Sequence, residues 1–552
     1  MDNVAADGGE SFETLLKILS EMEKYITVEN IHVTLRELKD NITNYRIYLK
    51  TDYKLHLNLS DRCADHCISY ALSDSSQRGY VKACEDHEHD ERCDLLPQSL
   101  LQLKEMVGSL DLPEDISEEF LASIDVAEIK IQNWKSHIMR SANQDLARSL
   151  LLSGMDYGEA LIIMDWAMKF LPIAYREKQS DWYGQKGVNW HVCVCIYKDE
   201  DGILKQRTYA HIMDSAKQDW IAVATLIQHI LSIIQTQIPG IKQVYLRSDN
   251  AGCYHCGNLW LAIPEISQRT GIHIARYDFS EAQNGKSYCD SKIAHMRSQI
   301  RKVAASGSDV LNVADMKMAI YQNGGITACQ SAHVEILSSS SSSGSKIRQI
   351  SKISNIQFHS DGSITVWRAY EIGSGVTISL QSQDGHFENQ FEVYQNFALP
   401  DIPDGHITSP TYRCEMDEKF SLSCPENGCI CTFDSYVQMQ NHCLIANHEF
   451  SSSSSTFDRI KLRWKDTCFN MSTGVHKVKF ESGMKSGSSM SEMGWALKKD
   501  KKNARFSEKS KGLPPRLACL KRSGKLQGVV EDHDLEAIIH AINTEEAKAQ
   551  LV

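Results

Sequence analysis

The sequence predicts an α/β protein: a mixed five-stranded sheet with helices, behind a helical N-terminal region and followed by a small β region and a ββα module. Three observations carry this. Residues 155–335 alternate apolar, β-rich runs with stretches of helical period; residues 1–150 show helical spacing; and residues 424–448 hold two cysteines and two histidines at a characteristic interval. At 552 residues the chain is too long for one core.

The bulk composition, 42% hydrophobic and 24% charged, is ordinary. The acidic opening "MDNVAADGGESFETLL" lacks the basic-then-apolar layout of a secretory leader, and no apolar run reaches bilayer-spanning length. A protein working inside the cell, with no membrane association, is therefore expected. Its 17 cysteines read as reduced thiols or metal ligands. The net charge of −12 is unevenly spread: residues 1–150 hold 28 Asp+Glu against 16 Lys+Arg, whereas 458–526 hold 18 Lys+Arg against 6 Asp+Glu. So basic a segment suits a polyanion, of which nucleic acid is the commonest. DNA is the expected partner and the nucleus the expected location.

The elements follow in order. "FETLLKILSEMEKYI" and "SEEFLASIDVAEIKIQNWKSHI" place apolar residues on one helical face within the acidic region 1–150. "ALIIMDWAMKF", "NWHVCVCIYKD" and "QRTYAHIMD" read as three strands. "DWIAVATLIQHILSIIQTQIPG" is a long helix closed by Pro239 and Gly240. "KQVYLRSDN", "CGNLWLAIPEISQRTG", "IHIARYDFSE" and "CDSKIAHMRSQIRKVAAS" then give strand, helix, strand, helix. The order β-β-β-α-β-α-β-α is that of a ribonuclease-H-like domain, at 155–335. A serine linker at 338–345 separates it from a small antiparallel β region at 346–400; residues 451–527 form a basic, partly disordered segment, and 528–552 a C-terminal helix.

In this ordering Asp165 ends the first strand and Asp249 the fourth, and adjacent parallel strands bring such ends together. The third acid is Asp290, at the start of the last helix, or Glu281, at the end of the fifth strand. Converging carboxylates repel unless divalent cations neutralise them, and oxygen ligands suit Mg²⁺ or Mn²⁺. "MDWAMKFLP", "SDWYGQKGVNWHVCV", "RSDNAGCYH" and "SEAQNGKSYCDSKIAHMRSQ" resemble the core of transposase-derived, DDE-type proteins, nearest to the Kyakuja-Dileera-Zisupton-like elements. The resemblance covers roughly residues 55–335. It implies Asp165, Asp249 and Asp290 as the three acids of a Mg²⁺- or Mn²⁺-dependent DNA nuclease and strand transferase, with Lys286 near a phosphate. The alternative is a domesticated, catalytically inactive zinc-finger protein that binds DNA or chromatin.

The sharpest local motif is "CPENGCICTFDSYVQMQNHCLIANH". Cys424, Cys429, His442 and His448, with Phe433 and Met439 as its apolar core, match a C2H2 finger at 420–450 holding a structural Zn²⁺. Its helix offers no Arg or Lys to bases, so it serves protein partners as readily as DNA. Seven further potential ligands crowd 63–93. A second zinc site is expected there from Cys67, Cys84, His89 and Cys93, with Cys63, His66 and His87 beside them. No small-molecule cofactor is expected.

Overall fold

The structure, a computed structural model, describes residues 3–26, 29–84, 87–88, 91–176, 185–281, 287–337, 347, 349–379, 391–398, 422–423, 431–433, 442 and 491–498. Chain contacts divide it into one unit of Met1–Leu112 with Phe120–Leu497 and a second of Pro113–Glu119 with Lys498–Val552; the first is described below. Lys286, His89, Cys424, Cys429, His448, the serine runs at 338–345 and 451–455 and the expected C-terminal helix lie outside the described residues.

The N-terminal region is helical: α1 (Asn3–Met22), α2 (Glu29–Thr51), the short α3 (Tyr53–His56) and α4 (Ile68–Ala71), α5 (Glu91–Ser109) and α6 (Glu114–Gly154). Helix α1 buries Phe12, Leu15, Ile18, Leu19 and Met22, the i, i+3, i+4 stripe read from sequence. Phe12 meets Trp134 of α6 edge-on at 6.3 Å.

The sheet has ten strands: β1 (Glu159–Phe170), β2 (Val188–Lys198), β3 (Leu204–Met213), β4 (Gln243–Ser248), β5 (His273–Phe279), β6 (Cys329–Ile336), β7 (Asn355–Phe358), β8 (Ser363–Trp367), β9 (Val376–Ser379) and β10 (Phe391–Gln395). Their spatial order is β10-β6-β3-β2-β1-β4-β5-β7-β8-β9. Strands β1, β2 and β3 form an antiparallel meander, while β4 runs parallel to β1 and β5 parallel to β4. The five strands expected from sequence are its centre. The expectation of five in total is corrected: β6 was not anticipated and joins β3 in parallel, β7–β9 extend from β5, and β10 pairs β6. Open strand edges present unpaired backbone groups, and the 346–400 region closes over both rather than standing apart.

Alternation along β1 divides the core in two. Ala160, Ile162 and Met164 face α7 (Trp220–Gln237) and α8 (Gly257–Thr270); Leu161 and Ile163 face α9 (Tyr288–Ala305) and α10 (Val313–Tyr321). Asp219 caps α7 by accepting the N–H of Ala222 at 3.0 Å. Gly271, left-handed at φ 68°, ends α8. Among the described residues, no helix is long and apolar enough to cross a membrane.

Helix α6 reaches the sheet by a buried polar seam. Asn143 donates to the carbonyl of Tyr370 at 3.1 Å and accepts its N–H at 2.8 Å. Gln144 donates to Asn355, whose amide donates to Asp278; Arg247 donates to the Gln144 carbonyl. Within the basic segment, residues 491–497 fold against this body, with Ala496 buried beside Met139 and Ile372. Replacing Asn143 by Leu orphans two backbone groups. The expected loss is about 2–4 kcal/mol in urea unfolding; a change below about 0.5 kcal/mol would show that the seam does not anchor α6.

Candidate active site and candidate metal centres

The β1–β4 register pairs Ile163 with Arg247, and two residues further on stand Asp165 and Asp249. Neighbouring strands lie about 4.8 Å apart, so the two acids occupy one level on adjacent parallel strands. By alternation Asp165 follows Leu161 and Ile163, and Asp249 follows Tyr245, onto the face covered by α9. Strand β4 ends at Ser248 while β1 continues along β2, which opens the sheet at this point.

Helix α9 brings the third carboxylate. Ser287 caps it by accepting the N–H of Asp290 at 3.2 Å, and Asp290 Oδ2 accepts the Ser287 N–H at 2.8 Å, a complete capping box. The helix start is held on the sheet by Cys289, whose buried thiol donates to the carbonyls of Ile163 at 3.3 Å and Val192 at 3.5 Å. Cys289 thus holds its neighbour Asp290 over β1 at Ile163; Asp165 stands within β1, which runs on to Phe170 along β2, and does not end the strand as expected. Nothing in "SYCDSK" marks it beyond an apolar helix position, and sequence reasoning missed it.

Burial pushes the Asp165 carboxyl up to about 7, and the charges of Asp249 and Asp290 add to the rise. Asp249 is raised too, first by burial, then by Asp290, against the lowering effect of the Ala251 N–H that it accepts. The Tyr254 hydroxyl and Asn250 Oδ1, in the turn after β4, are buried with no hydrogen-bond partner among the described residues. Such atoms in a native fold mark places for water or an ion. Glu281 goes elsewhere: its Oε1 accepts from Arg140 Nε at 2.9 Å and stands 3.6 Å from His137 Nδ1, both on α6. A half-buried guanidinium already answers its charge.

Two groups able to hold a metal ion, with donors compatible with zinc, lie in the N-terminal region: Cys63, His66 and Cys93, and Cys67, Cys84 and His87. In each the ligand atoms all lie within 4.8 Å of one another; among the described residues the three aspartates are not so tightly gathered. The single site expected from Cys67, Cys84, His89 and Cys93 is therefore corrected, because Cys93 starts α5 beside Cys63 and not beside Cys67. Of the finger, Leu422–Ser423 and Thr432–Phe433 are described as a short antiparallel pair, and His442 without its companion ligands.

A family model described as a domain of unknown function, DUF8701, matches residues 149–368. The match runs from the end of α6 through β8; it includes Asp165, Asp249, Glu281 and Asp290 and excludes both Cys/His groups. No curated protein matches the chain.

The Asp165 shift has a fixed sign. Its folded value lies above the ordinary 3.8, so the folded state holds the proton more tightly. That stabilisation is complete below about pH 4 and is lost as pH rises through about 7. In metal-free protein at pH 8, Asp165→Asn is expected to exceed the wild type by roughly 1–3 kcal/mol, after discounting for solvent screening. Thermal melts from pH 4 to 8 check this; parallel curves for the two proteins would contradict it.

Proposed function

We propose that the chain is a DDE-type, ribonuclease-H-like protein that cleaves and joins DNA with Mg²⁺ or Mn²⁺ held by Asp165, Asp249 and Asp290. One observation carries the reading: two acids at one level on adjacent parallel strands, facing a helix that opens with a third, with Asp249 and Asp290 raising the cost of charge on Asp165 and Asp290 that on Asp249. The central strand order β3-β2-β1-β4-β5, with β2 antiparallel, supports the fold half of the proposal. The donor set fits hard divalent cations, since every ligand atom is a carboxylate oxygen. Bound there, the ions would lower the pKa of a water or DNA 3′-hydroxyl and steady the leaving oxygen.

The chain's own residues supply placement. Asp165 and Asp249 fix two carboxylates on the most deeply paired strands of the sheet, and Cys289 and the capping box set the third. The basic 458–526 segment supplies sequence-independent attraction for phosphate, and Lys286 a local contact. The finger at 420–450, with Cys424, Cys429, His442 and His448 on zinc, completes a nuclear protein derived from a transposable element. A second reading, the inactive DNA or chromatin binder, is favoured by Asp290, whose carboxylate serves its own helix as a cap.

Nicking and joining of short DNA duplexes in Mn²⁺ separates them. Alanine at Asp165, Asp249 or Asp290 is expected to lower the rate by at least about 100-fold with little loss of DNA binding. Glu281→Gln is expected to keep the chemistry and lower thermal stability instead. Salt-sensitive binding with no metal-dependent cleavage in the wild type would favour the binder.

A further inference from the structure

The ligands of the two Cys/His groups interleave along the chain: Cys63 and His66 belong to one, Cys67, Cys84 and His87 to the other, and Cys93 returns to the first. Between α3 and α5 the only described helices are the four-residue α4 and one 3₁₀ turn, so regular backbone pairing holds little of this stretch. Besides the apolar packing of Ile68, Ala71 and Leu72 on Met139, Ala369 and Ile372, a cluster of thiols and imidazoles holds it.

In the first group, Cys93 Sγ lies 3.3 Å from His66 Nε2 and 4.0 Å from Cys63 Sγ. The Tyr48 hydroxyl stands among them, 2.6 Å from His66 Nε2 and 3.2 Å from His56 Nδ1, where a cation would sit. Asp61 accepts the Cys63 N–H at 2.8 Å and lies 3.9 Å from the other ring nitrogen of His66. A cavity of about 370 Å³, lined by His56, Asp61, Cys63, His66, Glu88 and Arg92 among others, gives access. In the second group the Cys67 sulfur accepts the Tyr70 N–H at 3.4 Å and stands 3.7 Å from the Leu59 carbonyl. His87 Nε2 is buried with no hydrogen-bond partner among the described residues. The same imidazole offers one ring nitrogen within 4.8 Å of both thiols.

We infer that this lobe binds two zinc ions in interleaved sites, Cys63/His66/Cys93 with His56 as fourth ligand, and Cys67/Cys84/His87, and that they form the seat on which residues 491–497 dock. Two sulfurs with one or two imidazoles select zinc over hard cations. The seat is built from residues between and just after the ligands. Ser491 Oγ donates to Asp65 at 2.8 Å, Gly494 N–H to the Tyr70 carbonyl at 3.0 Å, and Ala496 N–H to the Ala71 carbonyl at 3.0 Å. Lys135, paired with Asp65 at 2.9 Å, lies 4.8 Å from the centre of the Trp495 ring. Gly494 has φ 79°, and a Cβ there would fall 2.3 Å from the Ser73 carbonyl, so the docked segment admits only glycine.

The full chain carrying Cys424→Ser and Cys429→Ser, which removes any contribution from the finger, is assayed for bound zinc, copper and iron by mass spectrometry. Two zinc ions per chain are expected, falling to one on Cys84→Ser. None or one in the parent, or another metal, overturns the proposal. Hydrogen exchange then tests the seat. Chelation is expected to expose the 491–497 amides, and Gly494→Ala to expose them while both ions remain. Protection unchanged by chelation would overturn the docking role.

Discussion

Helix α6 reaches the sheet through polar groups that have no water to fall back on. Asn143, Gln144 and Arg140 each complete a partner that would otherwise be stranded: the Tyr370 backbone, the Asn355 amide, the Glu281 carboxylate. Such a seam adds little net stability when whole and costs several kcal/mol when broken. Its effect is to fix one docking position. An apolar helix could slide along β5 and β7 by a turn; this one has partners at a single register. Everything in contact with α6, including the Cys/His lobe through the Lys135–Asp65 pair, inherits that position.

The sheet explains why the candidate acids are tolerated. Asp165 follows five buried residues, Ala160 to Met164, on a strand with neighbours on both sides. It falls at the level where β4 has ended, so its carboxyl lies at the mouth of the core rather than within it. In open α/β sheets this mouth, at the carboxyl ends of parallel strands, is where ligands gather. The carboxyl's drift to about 7 measures how incompletely the protein alone compensates the charge.

Much of this arrangement was legible in the chain. The runs at 159–170, 188–198 and 204–213 are long and β-rich, and their apolar patterning leaves little alternative to central strands. Asp165 and Asp249 were legible because each interrupts or ends such a run. What could not be read was pairing across distance. "CQSAHVEI" and "FEVYQ" mix polar and apolar residues in a weak local pattern, and only pairing along the β3 side of the sheet makes them strands. The fate of Glu281 depends on Arg140, 141 positions away, which no local motif records. The division of the N-terminal ligands has the same cause, since Cys63, in the loop before α4, meets Cys93 of α5 only in the folded chain.

The capping box at Asp290 divides its carboxylate between two tasks under the proposed function. Oδ2 accepts the Ser287 N–H and closes the first turn of α9, which leaves Oδ1 for a divalent ion. A cap of this kind is worth about 1 kcal/mol. The bond that starts the helix would thus also hold the third carboxylate in one rotamer before an ion arrives, leaving little side-chain ordering to be done on binding.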